Sequence, residues 1–321
     1  MHLLRYALAA LVAVLAVTSA QAQISDQPIR IVFPFAAGGA GDALVRSLAE
    51  SMHVNLGRPV VVENKVGAGG RIGVHAVKEA SPDGSVLLFT PVGMMSIYPH
   101  VYEKLGYDPV TDFQPISQVA TFDLAMAVGP TVAAKSLQAL VDWLKSNPAQ
   151  GSYGTPAAGS QPHFLAIQFA RAAGLDLRHV AYKGSALAIT DMIGGHLPIY
   201  FGPTQEFVET HKAGRITVLA TTGTKRSPVL TDVPTFIEAG YAIQGEVWFG
   251  VYAPGKTPRH VVARLNQVIV AAVQAPELRS LMQALGMRPT GTSSAELAKI
   301  QLADFERWGP VVKASGFKPD Q

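Results

Sequence analysis

A strand that runs into glycines and turns directly into an amphipathic helix is the strongest constraint in this chain. Pro28-Ile29-Arg30-Ile31-Val32-Phe33 reads as a strand, and small residues from Ala36 to Gly41 follow it. Leu44, Leu48, Met52 and Leu56 then recur at i, i+4 spacing until Gly57 stops the helix. The first N–H groups of such a helix have no partner inside it and carry the positive end of its dipole. The turn can therefore hold an anion without any charged side chain. The same design returns at residues 67–73, 155–163 and 183–185. A chain punctuated in this way is an α/β protein with layered, largely parallel sheets.

Val60 to Glu63 reads as a second buried strand and Val86 to Phe89 as a third. Two stretches break the strand–helix rhythm. Ile116 to Ala120 and Leu124 to Val128 abut with no helix between them, and Val247 to Tyr252 is a second helix-free run before three closing amphipathic helices. Long strands of this kind let a chain cross into a second domain and return. The expected division is 23–123 with 247–321 as one domain and 124–246 as the other.

Met1 to Ala22 has a basic start (His2, Arg5), an apolar stretch from Ala7 to Val17 and Ala20-Gln21-Ala22 as a small-x-small site. This pattern predicts an export signal cleaved after Ala22, too short to serve as a spanning helix. Export to the periplasm removes ATP- and NAD-dependent chemistry from consideration. Lys+Arg 26 against Asp+Glu 23 leaves a net charge of +3, too weak and dispersed for a nucleic-acid surface. The absence of cysteine excludes a thiol nucleophile, a thiolate metal site and a lipid-anchored Cys. These features predict a free monomer in an exported compartment with no cofactor.

Catalytic motifs are missing. The nine histidines show no paired metal-ligand spacing, and there is no GxSxG elbow. Gly39-Ala40-Gly41 with Glu63 is a partial dinucleotide fingerprint, but Leu44 stands where its last small residue belongs. Ser160 and His163, three residues apart at a helix start, read as capping and orienting groups; the enzyme alternative is a secreted hydrolase using them as nucleophile and base. Asp42 is expected to fix its own turn, and Glu206 to lie beyond a turn on a helix face, with no site role.

Taken in order, the motifs resemble the Bug/TctC family of periplasmic substrate receptors of tripartite tricarboxylate transporters. The likeness rests on 28–42, Val61 to Gly70, Ser81-Pro82-Asp83-Gly84, Tyr107 to Phe113, Tyr153-Gly154-Thr155, Gly159 to His163 and Val180 to Ser185. It continues through Asp232-Val233-Pro234-Thr235, Trp248-Phe249-Gly250 and Val262 to Asn266. The resemblance implies a type II periplasmic binding fold, two α/β domains joined by two crossing strands, with a small organic acid held in the cleft. It implies ligand contacts from Ala37, Gly38, Gly39 and Asp42, from the turn at Thr90, Pro91 and Gly93, and from Lys183, Gly184 and Ser185. The turn holding Thr155, Ala158, Ser160 and His163, with Thr155 and Ser160 donating hydroxyl hydrogen bonds, and Pro203 and Thr204 after the strand at Phe201 complete the set. Membrane subunits of a transporter, or a sensor kinase, are the implied partners.

Two departures from the family pattern bear on the ligand. Pro156-Ala157-Ala158 replaces a glycine-rich turn and stiffens it. Gly202-Pro203-Thr204 stands where relatives carry Phe-Asp-Asn, which removes a carboxylate that could pair with a ligand ammonium. The expected ligand is therefore an acid without an amino group, a di- or tricarboxylate or an aromatic carboxylate. Phe35, Met94 and Met95 favour an apolar part.

Overall fold

The computed structural model describes residues 27–319; the expected signal segment lies outside them. β1 (Ile29–Phe33) leads through glycines into α1 (Ala40–Leu56). Leu44, Leu48 and Met52 are buried on one face of α1, and Gly57 closes it in the left-handed conformation at φ 65°. β2 (Val60–Asn64) follows, then α2 (Arg71–Lys78) and β3 (Val86–Pro91). A π-helical turn at Gly93–Ile97 and the short α3 (Tyr98–Val101) lead to β4, a continuous strand over Phe113–Val128.

The second half repeats the unit. It comprises α4 (Leu137–Ser146), β5 (Ser152–Thr155), α5 (Gln161–Ala173), β6 (Arg178–Ala181), α6 (Ser185–Ile193) and β7 (Ile199–Pro203). A 3-10 turn at Thr204–Glu206 precedes α7 (Val208–Lys212) and β8 (Thr217–Thr221). Ser136 caps α4 as expected, accepting from the Ala139 N–H at 3.1 Å. The chain returns through β9 (Glu246–Pro254) and ends with α8 (Arg259–Gln274), α9 (Pro276–Ala284), β10 (Arg288–Pro289) and α10 (Ser294–Ser315).

Strand order is β2-β1-β3-β9-β4-β7-β5-β6, with β8 and β10 also on β4. The two βα blocks are parallel: β1 with β2 and β3, and β5 with β6 and β7. The long strands are not. β9 runs antiparallel to both β3 and β4, and β4 is antiparallel to β7, β8 and β10. The expectation of largely parallel sheets holds only within the blocks, because a strand that leaves one block and a strand that returns to it run in opposite directions.

β4 pairs with β9 through Phe113–Asp123, with β7 through Leu124–Val128 and with β8 through Ala125–Val128, so it joins a first lobe to a second. Arg288 sits at this crossing and binds both Asp123, at 3.0 Å, and Glu246. One expectation is corrected. β2 is an edge strand, not a buried one, and Val61 is exposed on it. A run of valines looks buried locally, but its place at the sheet margin is decided by how the later strands connect.

Candidate functional site

Three helix starts from the two lobes converge on one cavity. α1 contributes Gly39 and Gly41, α5 contributes Ser160, Gln161 and Pro162, and α6 contributes Gly184 and Ser185. The cavity encloses about 730 Å³ of non-atom space, part of it open to solvent. Its walls are largely apolar. Phe249 stacks on Phe89 at 4.8 Å between ring centroids and lies 5.0 Å from Phe122, while Phe33 meets Phe35 edge-on at 5.6 Å. Gly41 is required here, because a Cβ would stand 2.9 Å from the Phe33 ring and 3.1 Å from that of Phe249. No Lys, Arg or His lines the cavity among the described residues.

The lobes touch across the opening. The Ala36 N–H donates to the Lys183 carbonyl at 3.1 Å, and the Ala40 N–H donates to Glu206 Oε1 at 2.9 Å. Gly184, at φ 119°, lies against Phe35 and Ala36, so the contact needs a residue that adopts this conformation without a side chain.

Of the residues expected at the site, Phe35, Gly39, Asp42, Pro91 and Gly93 line the cavity from the first lobe. Ser160, Gly184, Ser185 and Pro203 do so from the second. Asp42 fixes its turn, as expected. It accepts from the Gly38 N–H at 3.2 Å, from Arg46 at 2.9 Å and from Asn64 at 2.8 Å. Burial alone would raise its pKa, but Arg46, Asn64 and the Gly38 N–H together hold it below the usual carboxylate value. Met94 lines the cavity, whereas Met95 is packed in the core.

The remaining expected residues stand back from the cavity. Ala37 and Gly38 are exposed on the turn, and the Lys183 side chain is exposed. Ala158 is half-buried in the loop behind Ser160. Thr90 is buried and donates to Met94 Sδ at 2.7 Å; Thr204 is buried beside the cavity wall without lining it.

Thr155 and Ser160 need the larger correction. The Thr155 hydroxyl donates to the Ala157 carbonyl at 2.9 Å and pairs with His179 Nε2 at 2.7 Å. The Ser160 hydroxyl donates to the same Ala157 carbonyl at 2.6 Å, and it makes no side-chain cap of α5. Each hydroxyl has one proton, so neither is free to donate to a ligand. The Pro156-Ala157-Ala158 turn has spent both on itself.

His163 is also removed from the cleft. It is stacked on His179 at 3.8 Å between ring centroids, and its Nδ1 accepts from the Gly159 N–H at 3.0 Å. Burial, reinforced by the neighbouring His179, lowers its pKa to about 3. Burial lowers that of His179 to about 4. No hydrogen bond joins Ser160 to His163, so the geometry of a nucleophile and its base is not formed.

Three side chains missed in the sequence complete the site. Glu206 reaches from the second lobe to the start of α1, and burial raises its pKa to about 7 against the lowering effect of the Ala40 N–H. Gln205 is buried at the cavity wall with neither amide atom paired, and Gln161 donates to the Glu246 carbonyl while its Oε1 has no partner. Glu206 and Gln205 follow the end of β7 in the 3-10 turn, in the same strand-end layer as the other turns. That position was the available signal.

The chain matches the family model "Tripartite tricarboxylate transporter family receptor" over residues 44–317. Protein BugT of Bordetella pertussis is 30% identical over 294 residues, covering 91% of this chain and 90% of that protein. The structure of the periplasmic binding protein BugD is 32% identical, with TM-score 0.87, covering 91% of this chain and 99% of that one. An R. palustris protein solved with adipate is 30% identical, with TM-score 0.87, covering 91% and 98%. MatC from Rhodopseudomonas palustris, solved with bound malate, is 27% identical, with TM-score 0.84, covering 89% and 98%.

Proposed function

This chain belongs to the receptors of the tripartite tricarboxylate transporter family, and on that premise we propose that it captures a small carboxylic acid between its lobes and releases it unchanged. The observation that carries this reading is the convergence of three helix starts from both lobes on one apolar cavity that, among the described residues, no basic side chain lines. Hydrogen bonds to a charged group contribute about 1.5–3 kcal/mol each, so three or four account for a micromolar affinity near roughly −8 kcal/mol. The adipate and malate held by similar proteins support an acid without an amino group.

The receptor is exported and its signal cleaved after Ala22, and it has no catalytic role. Among the described residues no helix is long and apolar enough to cross a membrane. The lobes, 23–123 with 247–321 and 124–246, close by hinge motion at the crossing strands, where Arg288 holds Asp123 and Glu246. The closed form is then presented to a transporter's membrane subunits or to a sensor kinase.

A thermal-shift panel of adipate, malate, benzoate and glutamate tests the reading. At 100 times its Kd, a bound acid adds about 2.7 kcal/mol of stability, a readily measured rise in Tm. If no acid shifts Tm while an ester or amide is steadily hydrolysed, the receptor reading fails.

A further inference from the structure

We propose that Glu206 is a specificity-determining residue of the cleft, recognising the carboxylate of a non-aminated acid as a protonated carboxylic acid, so that binding above neutral pH takes up one proton. The inference rests on the receptor reading and says how that site distinguishes its ligands.

The Glu206 Oε1 accepts from the Ala40 N–H at 2.9 Å, and the carboxyl group lines the cavity. Gly39 makes room for the approach, since a Cβ there would stand 3.0 Å from Oε1 and 3.6 Å from Oε2. An incoming carboxylate meets no lining cation, and Asp42 is already paired with Arg46. Two carboxylates sharing one apolar space do not both stay ionised; a proton between them relieves the repulsion and makes a short charge-assisted hydrogen bond. An ammonium in the same space would instead face the positive ends of three helices.

Charged and titratable groups on the elements packed against this turn are accounted for as follows. On α1, Asp42 pairs with Arg46, while Glu50 and His53 lie turns away. On β4, Asp123 is bound by Arg288. On α6, Asp191 accepts from the Tyr182 hydroxyl at 2.8 Å. On α7, His211 faces Asp232 at 3.5 Å, and Glu209 and Lys212 are exposed. Tyr200 of β7 is buried, and its pKa is pushed up by burial and by Glu206. Burial raises the pKa of Glu206 to about 7, so taking up a proton costs little at neutral pH.

Calorimetric titration of the mature protein with adipate, malate and benzoate, at pH 6 and pH 9, tests this. Carboxylates of these acids are ionised throughout that range. If only the protonated Glu206 binds, with a free-protein pKa of about 7, wild-type Kd weakens by about 100-fold across it. Glu206→Gln, which keeps a donor and an acceptor at all pH values, should change by less than about threefold. Wild-type titrations at pH 8 in buffers of different ionisation enthalpy should report about one proton taken up per acid bound, a reading that does not depend on the variant. Flat wild-type affinity, zero proton uptake, or glutamate binding best with no loss above pH 7 overturns the inference and leaves the receptor standing. Failure of all acids to bind at either pH overturns the receptor reading itself, and this inference with it.

Discussion

The two faces of the cleft are built on opposite principles. On the first lobe every polar side chain lining the cavity is already bonded within the lobe. Asp42 is held by Arg46, Asn64 and the Gly38 N–H, and the Tyr98 hydroxyl donates to the Gly69 carbonyl at 2.7 Å. Between them lie the rings of Phe33, Phe122 and Phe249. On the second lobe Gln205 has both amide atoms unpaired, Gln161 has one, and Glu206 finds its partner only across the opening. Buried polar atoms without partners cost stability, so a face that keeps them holds bonding capacity in reserve. The first lobe supplies a finished wall; the second supplies the groups that a ligand completes.

This contrast makes the largest predicted effect a loss of stability on the first lobe. Phe249 is 5% exposed and contacts three other rings. Phe249→Ala should cost about 3–5 kcal/mol in urea denaturation, from lost transfer energy and the void left behind. A loss below about 1 kcal/mol would mean that the wall is not structural, and the contrast between the faces would break.

The next effect asks whether the reserve on the second lobe is confined to its cleft face. Behind that face, His163 and His179 are stacked, tied to Gly159 and Thr155, and braced by Phe317, whose ring meets His163 at 4.6 Å. Burial holds their pKa values at about 3 and about 4, against an unfolded value near 6.5. Depressed histidine pKa values mean that the unfolded chain binds more protons below pH 6.5. Stability is therefore full above that pH and falls as pH drops toward the folded values. The pair should cost about 3 kcal/mol between pH 6.5 and pH 5, and His179→Gln should roughly halve that slope in urea melts. No acid sensitivity in this window would mean that the interior behind the cleft is as loose as its face.

Much of the scaffold was legible because it is local. The i, i+4 spacing of Leu44, Leu48 and Met52 fixed α1, and two strand runs without a helix between them announced β4. Three of the four glycine turns supply the helix starts that meet at the cavity; the fourth, at 67–73, does not line it, and its Gly69 carbonyl accepts from the Tyr98 hydroxyl. The edge position of β2 was not legible, since it is decided when β3, the next strand, pairs with the other side of β1 and no later strand joins β2. Nor were the roles of Thr155 and Ser160, whose hydroxyls both turn to the Ala157 carbonyl through the particular path of the Pro156–Ala158 loop. Glu206 was the clearest miss. Its chemistry arises where the Thr204–Glu206 turn meets α1, 166 residues away in sequence. Reading Gly202-Pro203-Thr204 as the loss of a carboxylate stopped two residues short of the one that faces the cleft.

The smallest predicted effect separates the two faces most sharply, because it changes binding without costing stability. Gln205 is 6% exposed and has no hydrogen-bond partner for its oxygen or nitrogen. Replacing it by Leu removes two unsatisfied polar atoms and keeps most of the buried volume. The free protein should therefore be unchanged or more stable by up to about 1 kcal/mol. A carboxylate in the cleft loses one amide hydrogen bond, worth about 1.4 kcal/mol, so the Kd of the best-binding acid in the panel should rise about tenfold. Ser160→Ala is the control on the same lobe: its hydroxyl proton is committed to Ala157, and affinity should change by less than about threefold. If Gln205→Leu destabilises the free protein while leaving Kd alone, the amide is an ordinary packing residue. The second lobe would then hold its polar groups for its own fold, as the first does.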